Sequence, residues 1–203
     1  MSILASGTVT DFFHEVVEDA IKSRRVEATD GATTYLVTLL CDFAKPDARA
    51  EQALERPLAF LLDEALHTPA AGERFDKLRV LGDGVLYTCG FFSDHFEARG
   101  VDQKYLVGIG TTAYGTASSM LRAGGDASQN SVFDVYGELA TKFAAFVEVI
   151  SEVADATIAT GVATSKGLLR LYERWQRTKS DRLAQALTSH GLVPISGPKG
   201  VVS

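Results

Sequence analysis

The chain has 203 residues, of which 46% are apolar and 23% charged, and a formal net charge of −6. These are the proportions of an ordinary globular chain, long enough for one large domain or two small ones. The acidic balance argues against broad, unspecific nucleic-acid binding while leaving room for a local basic patch.

Almost every apolar run repeats with a helical period. In TDFFHEVVEDAIKSRR, Phe13, Val16, Val17, Ala20 and Ile21 fall on one face, with Thr10 or Asp11 as the expected N-cap. TDGATTYLVTLLCDFAK follows, capped by Thr29 or Asp30 and stopped by Pro46; residues 46–56 read as a loop or a short helix. RPLAFLLDEALH opens with Pro57, suited to a first helical turn, and ends before Pro69. A long segment covers 71–98. Gly100 breaks it, and Asp102 can cap the next helix, 102–122. AGGDASQNS is a loop. Over 131–154, Val132, Tyr136, Leu139, Phe143, Phe146, Val147, Ile150 and Val153 make one apolar stripe opposite Asp134, Glu138, Thr141, Glu148 and Glu152, which predicts one amphipathic helix. LLRLYERWQR and SDRLAQALTSH complete the set, with Gly191 as C-cap and 192–203 as a flexible or docked tail. No run alternates as a strand would. The expected fold is therefore an all-α bundle of seven or eight helices in one domain, 1–191, around a buried central helix near 71–98.

That central segment, with VLGDGVLYTCGFFSDHF at its end, is apolar most of the way round, as a buried helix must be. Its remaining seam is Asp83, Tyr87, Gly90 and Asp94. The glycines read as devices for close helix packing, each costing up to about 1 kcal/mol in helix propensity. The segment 102–122 carries a matching small-residue stripe, Gly108, Thr112, Gly115 and Ser119. The two stripes are expected to face each other. GIGTTAYG is not a dinucleotide fingerprint, because no strand precedes it and the spacing is wrong.

LGDGVLYTCGFFSDHF followed by VDQKYLVGIGTTAYG resembles a family of helical bacterial proteins without an assigned function, marked by an LGDxxLYxxGFFxD-like central helix. The resemblance covers the central half of the chain best, and FFHEVVEDAI and YLVTLLCDF also fit it. It implies a bacterial, soluble, helical protein, and it carries over no activity, cofactor or catalytic residue.

Two constellations stand out. A carboxylate on a buried helix is costly unless paired, so Asp83 and Asp94 either cap or pair with neighbours, or form a polar ligand pocket with Tyr87, Tyr105 and Tyr114. The second is a basic stripe, Lys166, Arg170, Arg174 and Arg177, opposite Leu168, Leu171, Tyr172 and Trp175; residues 164–182 hold six basic and two acidic side chains. It is either a solvated face or a surface for an acidic protein partner. Metal is less well served: HEVVE has a glutamate where a zinc helix needs its second histidine, and EALH gives a single Glu64–His67 pair, half of a di-iron site. Cys89 lies among Tyr87, Phe91 and Phe92, where burial raises a thiol pKa rather than activating it.

Cys41 and Cys89 sit in apolar runs and read as free thiols of a reducing compartment. The N-terminal stretch lacks the features of a signal peptide, and no apolar run reaches the roughly 18 residues of a span. The expectation is a cytoplasmic helical binding or regulatory protein acting through protein contacts, including with a second copy of itself. No catalytic residue, metal or cofactor is assigned, and nucleic acid is disfavoured. The alternatives are a small-molecule sensor, with its pocket between helices 71–98 and 102–122, and a helical metalloenzyme.

Overall fold

The computed structural model describes residues 8–44, 56–92, 100–124, 134–160 and 165–192. Among the described residues there are nine α-helices and no strand: α1 Val9–Arg24, α2 Asp30–Phe43, α3 Leu58–His67, α4 Ala71–Phe91, α5 Gln103–Gly124, α6 Val135–Thr141, α7 Phe143–Thr160, α8 Ser165–Thr178 and α9 Asp181–Ser189. The all-α class is as expected. The helix number is higher because the stripe expected as one helix is broken at Lys142, whose φ of −105° and ψ of 19° interrupt the ladder between α6 and α7. None of these helices is long and apolar enough to cross a membrane. The chain divides into two compact units, Met1–Ser151 and Glu152–Ser203, where the sequence reading places one domain over 1–191; the division falls within α7.

Local chemistry sets the helix ends of the first unit. Thr8, rather than Thr10 or Asp11, caps α1, and a full capping box closes with Asp11 at the third helical position. Thr29 caps α2 by accepting from the Ala32 N–H at 3.2 Å. Ala32 has no carboxylate to return the bond. Glu138 of α6 does so instead, accepting from the Thr29 N–H at 3.0 Å and from its hydroxyl at 2.5 Å. Lys142 holds this junction by donating to Glu138 at 3.1 Å and to the Glu27 carbonyl at 2.6 Å. Asp102 accepts from the Lys104 N–H at 2.9 Å at the start of α5. Pro57 lies one residue earlier than expected, as the N-cap of α3.

α4 packs most extensively on α5, α6 packs on α5 and α2, and α3 lies against α4 and α5. Leu78, Leu86, Tyr114, Leu139, Phe143, Phe146 and Ile150 are essentially inaccessible to solvent. The glycines do bring helices close, but not along the expected stripe. On α5, Gly108, Thr112 and Ser119 are exposed, and a Cβ at Gly108 would meet nothing within 4 Å. A Cβ at Gly115 would lie 3.8 Å from the Ala140 Cβ, an ordinary contact. The close approaches are elsewhere. A Cβ at Gly82 would lie 2.6 Å from the Tyr114 ring, one at Gly90 would run into Ile150, and one at Gly110 would run into the Phe143 ring.

The second unit has its own small core of Leu171, Trp175, Leu183 and Leu187, with Ile158, Ala159 and Leu168 packed around it. Lys179 turns the chain between α8 and α9 in the left-handed region, φ 53°, and sets its ammonium 4.3 Å from the centre of the Trp175 ring. Gly191, with φ 79°, follows α9 as expected of a C-terminal cap.

Candidate functional site

Asp83 lies on the second half of α4, its side chain 14% exposed. Its Oδ1 accepts two phenolic O–H bonds, from Tyr35 of α2 at 2.6 Å and from Tyr114 of α5 at 2.7 Å. Its Oδ2 accepts from the Arg79 guanidinium, one turn earlier on α4, at 3.2 Å. Tyr136 of α6 closes the cluster, its ring edge-on to Tyr35 at 5.5 Å and 6.0 Å from that of Tyr114. Phe75 packs edge-on against Tyr136 at 5.4 Å. Three helices thus meet on one carboxylate, and α6 packs on the tyrosine rings around it.

Burial lifts Asp83 above the ordinary carboxylate value of 3.8, against the pull of its three donors. Burial, and then the Asp83 carboxylate, drive the Tyr35 and Tyr114 hydroxyls well above 10, so both remain protonated donors. Burial is the largest single influence on Arg79 and opposes its charge, but Asp83, Tyr35 and Tyr136 together outweigh it and raise the guanidinium above its ordinary value. The carboxylate has all its near donors within the protein. Three donors from the protein on one carboxylate tie α2, α4 and α5 together and fix them in register.

Of the four expected pocket residues that are described, the structure brings two together, Asp83 and Tyr114. Tyr87 does not reach them: its ring stacks on Phe43 at 4.3 Å and on Phe91 at 4.7 Å, with Phe92 edge-on at 5.9 Å. Tyr105 is 44% exposed near the start of α5. Asp94 lies outside the described residues. Tyr35, Arg79 and Tyr136 were not anticipated. Arg79 carried a signal, since it stands four residues before Asp83 on a helix.

The basic stripe also divides. Arg170 and Arg177 are exposed, and the Lys166 side chain lies outside the described residues. Arg174 is 5% exposed and donates from Nε to Asp155 at 2.7 Å, with Asp155 itself 2% exposed. This is a buried ion pair of the second unit, which corrects its expected place on a solvent-facing stripe. Glu152 and Arg182 form a second pair there at 3.6 Å.

No three His, Cys, Asp or Glu side chains converge to hold a metal among the described residues. His14 pairs with Glu18 at 3.7 Å, and His67 with Asp63 at 3.2 Å. Glu64 turns away from His67 to meet Arg56 at 2.9 Å and Lys77 at 3.2 Å. Cys41 and Cys89 are free thiols, and burial pushes Cys89 up to about 12, so it stays protonated.

A trough of about 320 Å³ opens between α3 and α4. Leu61, Val80 and Leu81 contribute its apolar side chains, and Glu64, Glu73, Asp76 and Lys77 its charged ones. Comparison of the chain with protein-family models, with curated proteins and with solved structures yields no match.

Proposed function

We propose that this is a cytoplasmic helical protein that works by binding a protein partner through its surface, and that the outward face of α8 makes the contact. The observation that carries this reading is the makeup of that face: Arg170 and Arg177 are exposed beside Leu169, itself 57% exposed, while Leu171 and Trp175 are buried on the opposite side. Glu173 is the one acidic residue between Lys166 and Arg177. A basic face with an apolar residue at its margin suits an acidic protein surface, which it would attract and orient electrostatically. The two free cysteines support a reducing compartment. The Asp83 cluster, whose carboxylate is taken up by Tyr35, Tyr114 and Arg79, supports a contact surface over an internal reaction site.

The test is Arg170→Glu combined with Arg177→Glu. Both side chains are exposed, so the melting temperature is expected to stay close to that of the unmodified chain. Partners captured from a lysate of the source cells should be lost, and captures by the unmodified chain should weaken as salt is raised. Recovery of the same partners by both proteins would refute the assignment of this face.

A further inference from the structure

We infer that the trough between α3 and α4 is a second docking surface, in the first unit, for an amphipathic helix of another protein with an apolar stripe flanked by lysine or arginine. The floor and the rim of the trough point to the same occupant. Leu61, Val80 and Leu81 supply an apolar strip, and Val80 is 52% exposed in the middle of a helix, where an aliphatic side chain with no partner wastes its burial. Phe60 stands one turn before Glu64 on α3 and is 66% exposed, which extends apolar surface beyond the trough itself. The rim has three carboxylates, Glu64, Glu73 and Asp76, against one ammonium, that of Lys77.

Lys77 is committed to that rim, at 3.2 Å from Glu64 and 3.0 Å from Glu73, and Arg56 meets Glu64 from outside it. Asp76 is the carboxylate left most open: its side chain is 69% exposed, and Arg79 reaches it only at 4.0 Å. The approaching side chain that best complements this edge is a cation. The trough is partly open to solvent, whereas small-molecule sites enclose most of the ligand surface. Two helices flanking an apolar strip form the usual seat for a third, read by side chains at helical spacing. This surface is independent of the basic α8 face and stands whether or not that face binds.

The experiment uses the full chain and a fluorescein-labelled synthetic helix, stapled to hold its conformation, with leucines at i, i+3, i+4 and i+7 flanked by lysines. A second helix carries glutamate for each lysine. Fluorescence anisotropy should show saturable binding of the lysine helix and at least about tenfold weaker binding of the glutamate helix. Val80→Asp should weaken the lysine helix by at least about tenfold, as loss of a central apolar contact does. Asp76→Lys, at an exposed position that tolerates exchange, should weaken it as well and flatten its salt dependence, and it keeps the test intact if Val80→Asp does not fold. Equal binding of the two helices, or unchanged binding by both variants, would overturn the proposal. So would an absence of saturable binding. Concentration-dependent self-association that Val80→Asp abolishes would overturn it too, by assigning the trough to a second copy.

Discussion

Asp83 illustrates how a single residue can look like a site and act as a tie. Placed on an otherwise apolar helix, it is an expensive choice unless its oxygens are matched, and here Tyr35, Tyr114 and Arg79 match them. Tyr114 is fully buried, so its hydroxyl has no water to turn to if the carboxylate is removed. Asp83→Ala is therefore expected to destabilise the protein by about 1–3 kcal/mol, and adding Tyr114→Phe should return part of that loss, because the orphaned donor then disappears. Urea unfolding of the single and double variants measures both. An Asp83→Ala chain with an unchanged midpoint would mean that the carboxylate ties nothing. Sequence made Asp83 conspicuous, because a charge within an apolar helix is visible from composition alone. Its partners were not visible in the same way: Tyr35 is 48 residues away and Tyr114 is 31, and only the folded arrangement of α2, α4 and α5 joins them.

At the scale of elements, the period of apolar residues is enough to find most of the helices, since a core-facing stripe must repeat at the helical pitch whatever it packs on, but it merges α6 with α7 across Lys142. The faces were harder to assign. Gly82 and Gly110 accommodate the Tyr114 and Phe143 rings, while Gly108 faces open space; a glycine in a sequence does not say which neighbour takes its room. The cap of α2 shows the same division. Thr29 was legible as a cap, but its reciprocal carboxylate comes from Glu138, on a helix 109 residues further on. Burial opposes the charge on Glu138, yet the two Thr29 bonds and Lys142 prevail and hold it below its ordinary value of 4.5. A carboxylate lowered on folding contributes stability that is present above its unfolded value and is lost as pH falls through the folded one. Glu138→Gln should accordingly cost about 1 kcal/mol near neutral pH, and the difference from the unmodified chain should shrink below pH 4.5. Thermal melts of both proteins from acid to neutral pH give this difference directly. A gap that is constant across the range would show that the charge of Glu138 is not what holds the cap.

For the whole molecule, the division inside α7 means that one continuous helix supplies core residues to the first unit and, from Glu152 onward, to the second. The second unit is small, with a core cluster of Leu171, Trp175, Leu183 and Leu187, and a unit of that size depends heavily on each tie it has. Among the described residues, Asp155 and Arg174 form a fully buried charged tie, both at 5% exposure or less. Arg174 had looked like part of a surface stripe because basic residues usually are exposed; its burial follows from Asp155, which no spacing rule connects to it. Two charges buried together are weak net stabilisers, but one left alone is a strong destabiliser. Asp155→Ala should cost about 3–5 kcal/mol by removing a buried carboxylate that the buried guanidinium pairs with. Asp155→Leu with Arg174→Met removes both charges while keeping most of the volume, and should recover that loss in full or in large part. Hydrogen exchange locates the effect. In Asp155→Ala, amide protection should fall across α8 and α9 more than across α2, α4 and α5, because the broken pair belongs to the second unit. Uniform loss of protection along the chain would show instead that the two units unfold as one, and a double variant no more stable than Asp155→Ala would show that the pair holds the second unit by its charges rather than by its packing.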